Sequence, residues 1–122
     1  MTIHSIHHVQ VSIPIGVEQT AREFYCGVLG FHEIPKPESL AGRGGFWLEL
    51  GALQIHLGTE DGIDRRKSKG HVAYLVDDLG EWRTKLSENG CEIIDGIPIP
   101  GYDRFEFRDP FGNRVEFLQK HG

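Results

Sequence analysis

Apolar and polar residues alternate over residues 7–13, with Val9, Val11 and Ile13 on one side and His8, Gln10 and Ser12 on the other. That is the period of a strand with one apolar face. The period then lengthens: Val17, Ala21, Phe24, Tyr25, Val28 and Leu29 recur at helical spacing and Gly30 supplies a stop, which predicts a helix over 17–29. A short strand is expected at 31–34, ending at Pro35-Lys36-Pro37. Past a glycine-rich loop that closes on Gly44-Gly45, residues 46–50 and 53–57 alternate on either side of a Gly51-Ala52 turn. The first half therefore reads β-α-β-β-β.

The order then repeats. Val72, Tyr74 and Val76 form the apolar side of a strand, and Asp77-Asp78 offer a helix N-cap. Leu79, Trp82 and Leu86 stripe a helix that ends near Asn89-Gly90, with Trp82 on its core side. Short strands are expected at 91–94, 104–108 and 114–119, the last two joined by the Asp109-Pro110-Phe111-Gly112-Asn113 turn. Each half alone would leave one sheet face open. The expected architecture is thus α+β: two βαβββ repeats pairing into an open, cup-shaped mixed β-sheet with helices on the outside. The whole chain, 1–122, reads as a single domain, with repeat one at about 1–60, a linker at 59–69 and repeat two at about 70–122. The basic cluster Arg65-Arg66-Lys67-Ser68-Lys69 falls in that linker and reads as solvated.

Composition removes several function classes. Eighteen acidic against 13 basic residues give a net charge of −5, which disfavours nucleic acid as a partner. No apolar run is long enough to span a membrane, and the first residues lack a signal-peptide pattern. Cys26 and Cys91 form no CxxC pair or disulfide framework, so free thiols and a cytoplasmic location are expected. The Gly42-Arg43-Gly44-Gly45 stretch has no strand-to-helix context, which excludes a nucleotide phosphate loop there.

Strand parity sends Val9, Val11, Ile13, Leu53, Ile55, Leu57, Val72, Tyr74, Val76, Val115 and Phe117 toward the helices. The opposite faces carry His8, Gln10, Gln54, His56, His71, Arg114 and Glu116, with Trp47, Glu49, Arg104, Glu106 and Arg108 on neighbouring strands. A far face that is merely wet would look the same. Against that reading, His8 and His71 both open the first strand of a repeat, and His56 and Glu116 both lie in the last strand of one. Three imidazoles and one carboxylate make a nitrogen and oxygen donor set suited to Fe, Mn, Ni, Co or Zn. Trp47, Tyr102, Arg104 and Glu106 are the candidates to grip a small-molecule substrate. His4, His7, His32 and His121 read as structural or incidental.

These residues carry a resemblance to the vicinal oxygen chelate superfamily: glyoxalase I, fosfomycin and bleomycin resistance proteins, and extradiol dioxygenases. It rests on Ile6-His7-His8-Val9-Gln10-Val11, Phe24-Tyr25-Cys26-Gly27-Val28-Leu29-Gly30-Phe31, Gly70-His71-Val72-Ala73-Tyr74, and Phe107-Arg108-Asp109-Pro110-Phe111-Gly112-Asn113-Arg114-Val115-Glu116. The resemblance implies that His8, His71 and Glu116 ligate a divalent metal that binds two adjacent substrate oxygens. It also implies an isomerase, lyase, thiol-transfer or dioxygenase reaction, with Glu116 or His56 moving the proton. Glyoxalase I has Glu or Gln where this chain has His56, which is then a fourth ligand or an acid/base. Where glyoxalase I carries a glutathione-reading arginine this chain has Ser12, and where extradiol dioxygenases carry an acid/base tyrosine it has Glu106, with Tyr102 nearby. The resemblance further implies a homodimer. The alternative from the same superfamily is a non-catalytic protein that sequesters a drug, as bleomycin resistance proteins do.

Overall fold

A computed structural model describes all of residues 1–122. The chain forms two compact units, residues 1–63 and 64–122. Each contains the β-α-β-β-β order expected from the sequence.

In the first unit, β1 (His8–Ile13) leads into α1 (Glu18–Arg22), which continues directly into a π-helical segment, Glu23–Val28. Gly30, at φ +81°, lets the chain turn back so that Phe31 N–H reaches Tyr25 C=O at 3.0 Å, a left-handed helix stop. Then come β2 (His32–Ile34), β3 (Phe46–Leu50) and β4 (Leu53–Thr59). The sheet order is β1-β4-β3-β2, with β1 parallel to β4 and the remaining pairs antiparallel. Ile13, Ala21, Phe24, Tyr25, Phe46, Leu48, Ile55 and Leu57 are buried together as the core between helix and sheet.

The second unit repeats this with β5 (His71–Leu75), α2 (Leu79–Glu88), β6 (Ile94–Asp95), β7 (Tyr102–Arg108) and β8 (Arg114–Lys120), in the order β5-β8-β7-β6. Asp78 caps α2 from a left-handed backbone conformation, and its carboxylate accepts from Glu81 N–H at 3.1 Å. Leu79, Leu86, Phe105, Phe107, Val115 and Phe117 fill the core. Trp82 is half-buried and meets the Phe117 ring edge-on at 5.2 Å.

Two readings change. Arg65 is not part of a solvated linker: it is buried in a short 3-10 turn, its carbonyl accepts from Arg108 Nη1 at 3.3 Å, and Gly112 lies against its side chain and that of Arg66. Arg65, with the stem of Arg66, lies against the 109–113 turn, while Arg66, Lys67, Ser68 and Lys69 are exposed as expected. Several strand limits also move: β4 runs to Thr59, β7 starts at Tyr102, and β6 comes later than expected, because each follows its pairing partner.

Candidate functional site

The sheet face away from the helix carries chemistry in both units, and parity placed it correctly. In the first unit the register sets His8 opposite Gln54, Gln10 opposite His56, and Trp47 opposite His56. Cross-strand neighbours on one face touch, and here they form a stack of three rings. Trp47 lies on His56 at 3.9 Å with planes 3° apart, and His56 lies on His8 at 4.0 Å and 15°. His56 is buried, with Nε2 at 2.9 Å from Gln54 Oε1. Burial first, then the positive charge of His8, His7 and Lys36, pushes its pKa down to about 4.

His8 is exposed, and its Nδ1 lies 2.9 Å from His7 Nδ1. One of these nitrogens carries the shared proton. When it is His8 Nδ1, the His8 Nε2 keeps its lone pair, the tautomer a metal ligand needs. His7 was read from sequence as incidental, on the helix side. The strand begins only at His8, so the alternation does not reach His7, and its ring lies beside the site. No periodicity signal finds it; the only pointer was its adjacency to a candidate ligand.

In the second unit the counterpart of the ring stack is an ionic network. His71 Nδ1 is 2.9 Å from Lys69 C=O and so donates to it, which leaves Nε2 facing Glu116 Oε1 at 3.2 Å. Arg104 Nη1 reaches the same Glu116 oxygen at 3.2 Å and Glu106 Oε1 at 3.3 Å. Arg114 grips Glu106 through both Nε and Nη2. The Arg114 hydrogen bond holds the Glu106 carboxyl below the usual carboxylate range. Arg104 is locked from behind by Ile97 C=O at 2.8 Å, and it fits only because residue 96 is glycine: a Cβ there would sit 2.8 Å from Arg104 Cζ. Arg104 and Glu106, expected to grip substrate, thus hold each other and Glu116. Tyr102 is half-buried and lines a separate hollow of about 420 Å³ with Arg83 and Asp103.

The donor set can be tested against a divalent metal. With Nδ1 turned to the Lys69 carbonyl, His71 Nε2 faces Glu116 Oε1, and a proton or a cation between them would satisfy both. Their 3.2 Å separation matches the roughly 3 Å between neighbouring donors on an ion with ~2.1 Å bonds. The His71–Glu116 pair therefore fits as two neighbouring donors. His56 does not fit as a fourth ligand in this arrangement. Imidazole lone pairs lie in the ring plane, and two near-parallel planes 4.0 Å apart do not converge on one ion. The donors come in pairs, one in each unit, and no group of three His, Cys, Asp or Glu residues is gathered as a metal cage.

Comparison with known proteins agrees with this layout. The model of the Glyoxalase/Bleomycin resistance protein/Dioxygenase superfamily matches residues 5–117. A curated Arabidopsis thaliana protein, Glyoxylase I 4, is 30% identical over 122 residues, covering 92% of this chain and 68% of that protein. A crystal structure from Bacillus anthracis, assigned to the glyoxalase family, superposes with a TM-score of 0.90 at 42% identity, covering 99% of this chain and 98% of that one. A glyoxalase/dioxygenase structure from Nostoc punctiforme gives 0.78 at 22% identity, over 97% and 92%, a likeness of fold alone. With the family model spanning nearly all of the chain, this protein belongs to the glyoxalase, bleomycin resistance protein and dioxygenase superfamily.

Proposed function

We propose that the protein is a metal-dependent enzyme of the glyoxalase/dioxygenase type, acting on a small substrate that offers two adjacent oxygens. His8, His71 and Glu116 are the proposed ligands, a 2-His-1-carboxylate set. The observation that carries the reading is the His71–Glu116 pair, whose Nε2 and Oε1 lie 3.2 Å apart, the spacing of two neighbouring donors on one ion, with the imidazole oriented by the Lys69 carbonyl. When bound, the metal supplies Lewis-acid stabilisation of a developing enolate or oxyanion.

The chain's own residues do the rest. The Lys69 carbonyl holds His71 in the tautomer that presents Nε2, and His8 presents its Nε2 when its Nδ1 donates to His7. Arg104, fixed by Ile97 C=O and Glu106, positions the Glu116 carboxylate. Glu116 is the proposed proton carrier. His56 is assigned to holding the His8 ring by stacking. A homodimer is part of the proposal, as the superfamily resemblance implies. Both cysteines are free, in line with a cytoplasmic enzyme.

Elemental analysis of protein purified without chelator tests the reading. Near-stoichiometric metal is expected, and Glu116→Ala and His8→Ala should each lose it while keeping the fold. A chain that takes up none of Fe(II), Mn(II), Ni(II) or Zn(II) would overturn the metalloenzyme. The drug-sequestering alternative then stands; it is favoured by one observation, the pocket of small-molecule size lined by Trp47, His56 and His8.

A further inference from the structure

The first unit contains a pocket of about 440 Å³ whose charge runs against that of the chain. The protein carries −5 overall, yet the pocket wall includes Lys36 and Arg43 and no carboxylate. The ion pairs of the molecule form elsewhere, and neither cation takes part in one. Lys36 Nζ donates to Gly44 C=O at 2.7 Å, which anchors the ammonium and leaves two N–H donors.

The surrounding backbone is shaped to keep this so. Gly44 and Gly45 have φ of +75° and +76°, and a Cβ at Gly45 would lie 2.1 Å from Leu57 C=O, so the 41–45 loop lies directly on the end of β4. Glu18, the carboxylate beside the loop, accepts from Gly45 N–H at 3.3 Å and is not part of the pocket wall. Gly58 has no side chain where the Gln10 amide lies, since a Cβ there would be 2.4 Å from Gln10 Nε2. Gln10 thereby becomes wall, beside the rings of Trp47, His56 and His8.

We infer that this pocket receives a small ligand bearing an anionic oxygen group, a carboxylate or a phosphoryl, with Lys36 and Arg43 as its counter-charges. Lys36 and Arg43 line one hollow of small-molecule size and form no ion pair, and an ammonium and a guanidinium are the ordinary means of recognising such a group. The charge comes from two side chains, not from the backbone of a phosphate loop, which is why no motif signalled it. As the substrate class of the proposed enzyme, the inference rests on that reading. The binding step needs no metal.

The test is an NMR titration of ¹⁵N-labelled protein in EDTA with inorganic phosphate and, separately, with oxalate. Saturable shifts are expected at the amides of Gly44, Gly45 and Gly58 and at the Trp47 indole N–H. They should weaken as salt rises from about 0.01 M to about 0.15 M, where screening shortens from ~30 to ~8 Å. Arg43→Met should weaken binding roughly tenfold, the loss expected for one charge-assisted contact, with an unchanged thermal melt. Lys36→Met, which also frees Gly44 C=O, should weaken it at least as much. Preference for phosphate assigns a phosphoryl ligand, and preference for oxalate a carboxylate. No saturable shift with either anion, shifts confined to residues 64–122, or wild-type affinity in Arg43→Met would overturn the inference. Because EDTA holds metal away, failure here and failure of the elemental analysis are separate results.

Discussion

The two units share topology and register but not chemistry. Trp47 in β3 faces His56 in β4 just as Glu106 in β7 faces Glu116 in β8, and His8 and His71 open the parallel strands. In the first unit these positions make a stack of rings; in the second they make a network of two carboxylates, two guanidiniums and an imidazole. The same backbone thus offers a ring stack beside two cations that form no ion pair and, separately, a carboxylate held in place by arginine. The comparison teaches that the fold supplies positions and that the side chains at those positions set a different chemistry in each unit.

The largest effect expected to break this comparison is on metal content. His71→Ala should lose metal, whereas His56→Ala should keep it near stoichiometric, because the proposed ligand set leaves out the stacked His56 ring; metal lost equally from both variants would return His56 to the ligand set. Next is stability. Glu106→Gln takes from Arg114 its carboxylate and leaves Arg104 only Glu116 and the Ile97 carbonyl, and should cost about 3 kcal/mol in urea unfolding, whereas a cost under about 1 kcal/mol would show the network to be solvated.

A third effect of similar size sits on the core side of the second unit. Burial, aided by Asp109, pushes the Tyr74 hydroxyl up to about 12 from 10. The folded state keeps it neutral while the unfolded chain ionises near pH 10. Its contribution is full below pH 10 and lost as pH rises toward 12, a change of about 2–3 kcal/mol. Tyr74→Phe should flatten that slope, and an unchanged slope would place the alkaline loss elsewhere. The smallest effect is at the stack: Trp47→Leu should cost only about 1 kcal/mol while changing the His8 ring resonances, and unmoved His8 signals would mean that the stack does not orient it.

Much of the fold was legible because strand and helix periods report directly which face is buried. Val9, Ile55 and Tyr74 fell on the helix side and His8, His56 and Glu116 on the other, as parity requires. Strand ends were less legible, since Gly58 and Thr59 extend β4 only because Ser12 and Ile13 are there to pair with them. His7 and Arg65 were misread for a related reason. Each lies outside a regular element, where periodicity carries no information, and only their contacts with His8 and with the 109–113 turn give them a role.

The sequence by itself determined the two β-α-β-β-β repeats, the superfamily and the sheet face on which His8, His56, His71 and Glu116 lie. These depend on local period and residue type, which a linear chain states openly. Only the tertiary structure decided that His56 is sandwiched between Trp47 and His8, that Arg104 is bound to Glu116 and Glu106, and that Lys36 and Arg43 share one pocket. Those facts depend on register, on loop path and on where a glycine leaves room for a neighbour. Such distances arise between residues remote in sequence, and no local pattern encodes them.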